Sequence, residues 1–271
     1  MTPPTCPLVA DAHVHVHPCF DASRLLDAAS RNFDAATGRE QFEGALRYLM
    51  LTETARDDFF LRVVRGVADL GWWRARRTGE AEVLGLESKA GERLMLVAGR
   101  QIATREGLEV LALGTLERFE DGRTFSEALE MSAGAAAITV VPWGFGKWWG
   151  ARGRAAERAV LGTDPDRGEV FPGDNAARLR WGPMPRLLRR AAERGIPVLP
   201  GSDPFPFPGQ EDRVGRVGFM VDGRASPERP LAGLRDALAA PERRVRTFGR
   251  GEDALPFLRD QIRMQLRKRG S

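Results

Sequence analysis

Short apolar runs alternate with longer amphipathic stretches from one end of this 271-residue chain to the other, and that order constrains the fold more than any other feature. An apolar, β-rich run followed by a stretch of 3.6-residue period is the pattern of a strand and its crossover helix, repeated around a parallel sheet. The runs "PLVADAHVHV", "ALRYLMLTE", "ERLMLVAGRQI", "GLEVLALGT", "AAAITVVPW", "GEVFPG", "IPVLPGSD" and "RRVRTFG" read as strands. Helical periodicity falls at 21–30, 55–68, 124–133, 151–161, 184–194, 230–239 and 252–268. Seven or eight strands with helices between them predict an α/β fold, a distorted (β/α)7-8 TIM-like barrel forming a single domain over residues 1–271. The length suits that architecture, which typically takes about 250 residues. The last helix carries Leu255, Leu258, Ile262 and Leu266 on one stripe, which predicts a closing helix packed through that stripe.

The first predicted strand holds every histidine of the chain, His13, His15 and His17, spaced two apart behind Asp11. A strand turns alternate side chains to the same side, so these four share one face while Ala10, Ala12, Val14 and Val16 share the other. Same-face neighbours lie about 7 Å apart along the strand, close enough for two imidazoles to hold one ion. His17, followed by Pro18, falls past the strand toward the rim and the substrate.

In a parallel barrel the functional groups stand at the carboxyl ends of strands. Those exits offer Glu53 in "LMLTETARDD", Gln101 in "VAGRQIAT", Asp174 and Asn175 in "VFPGDNAAR", and Asp203 in "VLPGSDPFPFPG". Two imidazoles with carboxylates from other strands suit zinc, manganese or iron. Such an ion lowers the pKa of a bound water from ~15.7 to about 7, and Asp203 beside it is placed as proton acceptor. Each residue also has a purely structural reading. Neutral histidines satisfy hydrogen bonds inside cores, Glu53 and Asp174 stand where acids cap helices, and Asp203 opens a proline-rich turn.

"DAHVHVHP" and "VLPGSD", with "LVAGRQIATREGLEVLALGT" between them, resemble the polymerase-and-histidinol-phosphatase (PHP) family of metal-dependent phosphoesterases. The resemblance implies that His13 and His15 bind metal as the opening H-x-H pair, that Asp203 is a late ligand, and that Asp11 is the acid preceding the pair. It departs from the family at three places. "TET" with Glu53 replaces "TDH", Gln101 stands where the family has the glutamate of "G-x-E", and "VPW" with Trp143 replaces a strand ending in "HP". The implied centre therefore holds one or two divalent ions, or none, where the family holds up to three. The implied activity is that of a metal-dependent hydrolase of phosphoesters. The alternative is a degenerate relative that binds a small polar or anionic ligand without turnover.

"VPWGFGKWWGARGRAAERA" is the other unusual stretch. Its glycine spacing and the tryptophan after Lys147 do not fit a phosphate-binding loop. Trp143, Trp148 and Trp149 beside Lys147 and Arg152 read either as a wall and cationic clamp for a ring-bearing or phosphorylated ligand, or as a lid packed on the rim. The net charge of +4 rests on arginines scattered through many segments, with Lys89, Lys147 and Lys268 the only lysines. That scatter gives little reason to expect nucleic acid, and the hydrolase that the resemblance implies would take a small-molecule partner, phosphorylated or anionic. The first residues, "MTPPTCPLVA", lack a basic start and an apolar stretch, and no run approaches a membrane span, so a cytoplasmic protein without a membrane partner is expected. Cys6 and Cys19 are too few for a disulfide framework.

Overall fold

The computed structural model describes residues 6–38, 45–144, 146–162, 168–175, 178, 182–249, 251, 255, 258–260 and 262–264. Eleven strands are formed among them. The first seven are β1 (Cys6–Val14), β2 (Leu46–Leu51), β3 (Arg74–Arg77), β4 (Val83–Glu87), β5 (Arg93–Val97), β6 (Gly99–Ala103) and β7 (Glu109–Leu113). They are followed by β8 (Ile138–Pro142), β9 (Val170–Gly173), β10 (Gly218–Gly223) and β11 (Val245–Phe248). The helices are α1 (Ala22–Thr37), α2 (Phe59–Val64), α3 (Phe125–Gly134), α4 (Gly150–Leu161), α5 (Arg186–Glu193) and α6 (Pro230–Ala239), with one 3-10 turn at Gln210–Arg213.

The strands make two sheets, seven in the order β11-β10-β1-β2-β5-β4-β3 and four in the order β6-β7-β8-β9. The predicted barrel is corrected by this topology: the fold is mixed α/β, and no closed barrel exists among the described residues. Three local features explain the difference. At Ala98 and Gly99 the run read as one strand passes from the first sheet to the second, and a Cβ on Gly99 would stand 2.4 Å from the Leu51 carbonyl oxygen, so only glycine fits against β2. The β3–β4–β5 and β6–β7–β8 connections are antiparallel, without the crossover helix that a parallel barrel requires between strands. The segment "IPVLPGSD" forms no strand, since Pro197 and Pro200 have no N–H to give a ladder. The two sheets share one apolar core, and backbone contacts at their margins include the bridge Glu53↔Arg100 between the end of β2 and β6 and the 3.2 Å hydrogen bond from Ala12 N to Pro200 O.

Alternation within the strands distributes the core. Tyr48 and Met50 of β2 pack with Leu8, Met95, Leu111, Val140 and Phe219, while Leu49 and Leu51 turn to Phe33, Phe60 and Trp73 beneath α1 and α2. A strand apolar on both faces must be covered on both, which makes β1 and β2 the buried spine of the molecule. Helix starts follow local chemistry. Asp21 accepts from the N–H groups of Ser23 and Arg24 at the head of α1, and Thr124 with Glu127 forms a capping box on α3.

The predicted closing helix is docked differently from its apolar stripe. Leu255, Leu258 and Ile262 are 82%, 56% and 50% exposed, and Leu266 lies outside the described residues. The buried contact is Asp260, fully enclosed, which meets Arg213 at 3.2 Å and Gln210 at 2.9 Å. Among the described residues no helix is long and apolar enough to cross a membrane.

Candidate metal centre

β1 and β2 run parallel, and their carboxyl ends open at the same edge, so His13, His15 and Glu53 all arise there. The segment 200–203 is laid across that edge by the backbone. Asp203 N donates to His13 O at 2.8 Å, and Gly201 packs so closely on β1 that a Cβ would stand 2.2 Å from His13 N. Asp203 itself has φ 43°, a left-handed conformation that Asp tolerates better than most side chains and that turns its carboxylate back toward the histidines.

The result is a convergence of three donor atoms. His13 Nε2 and His15 Nε2 are 3.1 Å apart, and Asp203 Oδ1 lies 3.5 Å from the first and 3.7 Å from the second. His13, His15 and Asp203 form a group able to hold a metal ion. Ligand bonds of about 2.0–2.2 Å around one cation separate neighbouring donor atoms by about 3–3.5 Å, so the three sit near coordination spacing. Gln101 Oε1, at 3.3 Å from His13 Nε2, adds a neutral oxygen. The Nδ1 atoms of His13 and His15 are buried without a hydrogen-bond partner. The rings are held by their Nε2 contacts and by packing, His13 tilted on His15 at 5.0 Å and His15 stacked on His17 at 5.4 Å.

Burial, aided by the neighbouring His13 ring, pushes the pKa of His15 down to about 3, which keeps it neutral with a lone pair to offer. Burial alone would raise the Asp203 carboxyl, but the imidazoles of His13 and His15 and the Lys147 ammonium outweigh it and hold the group below the ordinary carboxylate value. Asp203 is also the most open of the three, its side chain 23% exposed against 3% for His13 and 9% for His15, so access to the group is from its side.

The other predicted residues take distinct places. Asn175 Nδ2 donates to Asp203 Oδ2 at 2.9 Å and to Trp143 O at 3.0 Å, fixing the carboxylate from behind. Asp174 grips the Arg178 guanidinium, with Nη2 at 3.0 Å from Oδ2. His17 Nε2 donates to Pro204 O at 3.0 Å and ties the proline-rich loop to the end of β1. Glu53 is turned from the histidines, its Oε2 2.9 Å from Arg100 Nη1 and its Oε1 accepting from Phe60 N at 2.7 Å. Lys147 pairs with Glu109, and Arg152 Nη2 donates to Gly146 O at 2.9 Å.

Asp11 shares β1 with His13 but does another job. Enclosed completely, it accepts from the N–H groups of Ser202 and Gly215, both at 2.8 Å, and of His13 at 3.2 Å. Burial pushes its pKa up to about 6 against the pull of those three donors. Asp11 thus clamps two distant loops to β1 and sets where Asp203 falls. Arg178 drew no attention in the sequence, because an isolated arginine in a loop carries no local signal.

No family model and no curated protein matches the chain. Among solved structures it resembles PsfC from Pseudomonas syringae, with 13% identity and a TM-score of 0.51 over 98% of this chain and 99% of that one. It also resembles the lesion-specific endonuclease PfuEndoQ from Pyrococcus furiosus, with 11% identity and a TM-score of 0.53 over 89% of this chain and 58% of that one. At such identities the likeness shows the fold. The expectation that nucleic acid plays no part is corrected by the second of these, since a protein of this fold is an endonuclease. Scattered arginines reflect overall composition and do not exclude a nucleic-acid partner.

Proposed function

We propose that this chain is a metal-dependent hydrolase of phosphoesters, a single domain of PHP-like fold with its centre at His13, His15 and Asp203. The observation that carries the reading is the approach of two Nε2 atoms and one carboxylate oxygen, drawn from chain positions about 190 residues apart, to within 3.1–3.7 Å. A divalent ion of the zinc, manganese or iron class suits that donor set, and when bound it supplies Lewis acidity and a water ionised near neutral pH.

The chain's own groups divide the remaining work. His13 near the end of β1 and His15 just past it serve as the nitrogen donors. Asp203 supplies the one anionic ligand through Oδ1. Its Oδ2 accepts from Asn175 and keeps a second lone pair for a water proton. Lys147 helps keep that carboxylate ionised. Gln101 contacts the centre as a neutral side chain, and Glu53, locked to Arg100, supports the end of β2. With Glu53 so engaged, the reading is of one ion rather than several.

Elemental analysis of protein purified without chelator, followed by turnover assays with manganese, zinc and iron, tests the proposal. The panel includes nitrophenyl phosphate, a phosphodiester and a lesion-containing DNA duplex. Stoichiometric metal with turnover of at least one of them is expected. Protein without affinity for any of the ions refutes the centre. Tight metal binding with no turnover across the panel selects the alternative, a ligand-binding site.

A further inference from the structure

A cleft of about 680 Å³ is lined by Trp143, Trp148, Trp149, Met184, Arg154 and Arg178 among others, and none of the three residues of the centre lines it. Its size falls within the range of small-molecule sites, and its walls combine apolar and aromatic surface with a few charges. Two of its side chains, Trp149 and Met184, are 66% and 57% exposed, although large apolar groups gain from burial. Trp148 differs, since it also packs against the core beneath α3 to α5. Gly146 and Gly150 hold the positive φ values, 73° and 60°, that bend the chain on either side of the tryptophan pair.

The cleft and the centre are joined through one nitrogen. Asn175 Nδ2 donates both to the carbonyl of Trp143, in the cleft wall, and to Asp203 Oδ2. Arg178, held in plane by Asp174, contributes a fixed guanidinium to the same wall, and Arg154 on α4 is an exposed cation at its margin. Indole faces stack flat rings, and a guanidinium stacks or meets an anion.

We infer that the cleft seats the planar aromatic ring of a ring-bearing phosphoester whose phosphoryl group lies at His13, His15 and Asp203, an inference that rests on the hydrolase reading for the phosphoryl end only. The ring is the recognised chemistry, whether it belongs to a free nucleotide or to an unpaired base in a strand.

The test compares naphthylethyl phosphate with propyl phosphate, esters of alcohols of similar acidity, in the full chain and in Trp149→Ala and Trp148→Leu. The ratio of kcat/KM for the two esters is expected to favour the ring in the wild type. It should fall about 10-fold in each variant, mainly through KM, since stacking on an aromatic side chain is worth roughly this much. Calorimetric titration with naphthylethanol under chelation separates the cleft from the centre, because that probe has neither phosphate nor need of metal. Binding weakened about 10-fold in Trp149→Ala supports the cleft even if no ester is hydrolysed. Identical affinities and identical ratios in wild type and both variants overturn it. A nucleoside monophosphate and an oligonucleotide with one unpaired base, titrated in parallel, identify the source of the ring by which one loses more affinity in Trp149→Ala, and loss for neither counts against the proposal.

Discussion

Replacing Asp203 with Asn is the sharpest test of the centre, because it removes one charge and almost nothing else. The amide has an orientation that satisfies its neighbours. Its oxygen accepts from Asn175 Nδ2 as Oδ2 now does at 2.9 Å, and its NH2 faces the Nε2 atoms now 3.5 and 3.7 Å from Oδ1. Asn also tolerates the left-handed φ of 43° at this position. The stability of the metal-free protein should therefore change by no more than about 1 kcal/mol. Metal binding should respond very differently. Changes to groups that merely orient a ligand cost about 10–100-fold in affinity, so loss of the only anionic donor among the described residues of the group should cost at least ~100-fold, about 2.7 kcal/mol. Turnover at limiting metal should fall by at least the same factor. Chelator competition with zinc and manganese, steady-state turnover and thermal unfolding of the metal-free proteins read the three quantities. A variant that binds metal and turns over like the wild type refutes the assignment of Asp203, and a collapse in metal-free stability shows a structural role instead.

Glu53→Gln leaves an acceptor for Phe60 N but removes the carboxylate charge from beside a buried Arg100, which keeps its bond to Asp57 O, and removing one member of a buried ion pair typically costs about 3–5 kcal/mol. Chelator-competed metal affinity should stay within about twofold of wild type, and a fall of ~100-fold would place Glu53 among the ligands. Gly201→Ala drives a Cβ to 2.2 Å from His13 N, so the 200–203 segment must lift from β1. Urea unfolding should show a loss of about 1–3 kcal/mol together with weakened metal binding, and an unchanged protein would disprove the close approach. Asp21→Ala removes the cap of α1 and should cost about 1 kcal/mol at neutral pH. Backbone N–H and Ser23 hydroxyl bonds hold the folded pKa of Asp21 below 3.8, so its contribution is present above that value and is lost as pH falls through the folded pKa. Urea midpoints of wild type and variant should accordingly converge in acid, and a gap that persists there assigns the effect to something other than the ionised cap.

Much of this protein was legible locally. The apolar run that forms β1 is a property of a few consecutive residues, but β1 ends at Val14 after an irregular register from Asp11 onward, so His15 lies past the strand and its meeting with His13 comes from that break rather than from a two-residue period. Helices α3 and α6 likewise coincide with their periodic stretches to within a residue, because caps and amphipathic spacing act over one or two turns. Tertiary structure alone decided which carboxylate meets the imidazoles and how the strands divide. Asp203 reaches them and Glu53 does not because Asp11 binds the N–H groups of Ser202 and Gly215 across 191 and 204 positions of chain, while Arg100 draws Glu53 away. The open pair of sheets, the antiparallel β10 against β1, and the exposed stripe of the last helix are decided in the same way. Each depends on groups far apart in sequence competing for the same partner. Local periodicity records which face of an element is apolar, but not which distant backbone will arrive to cover it.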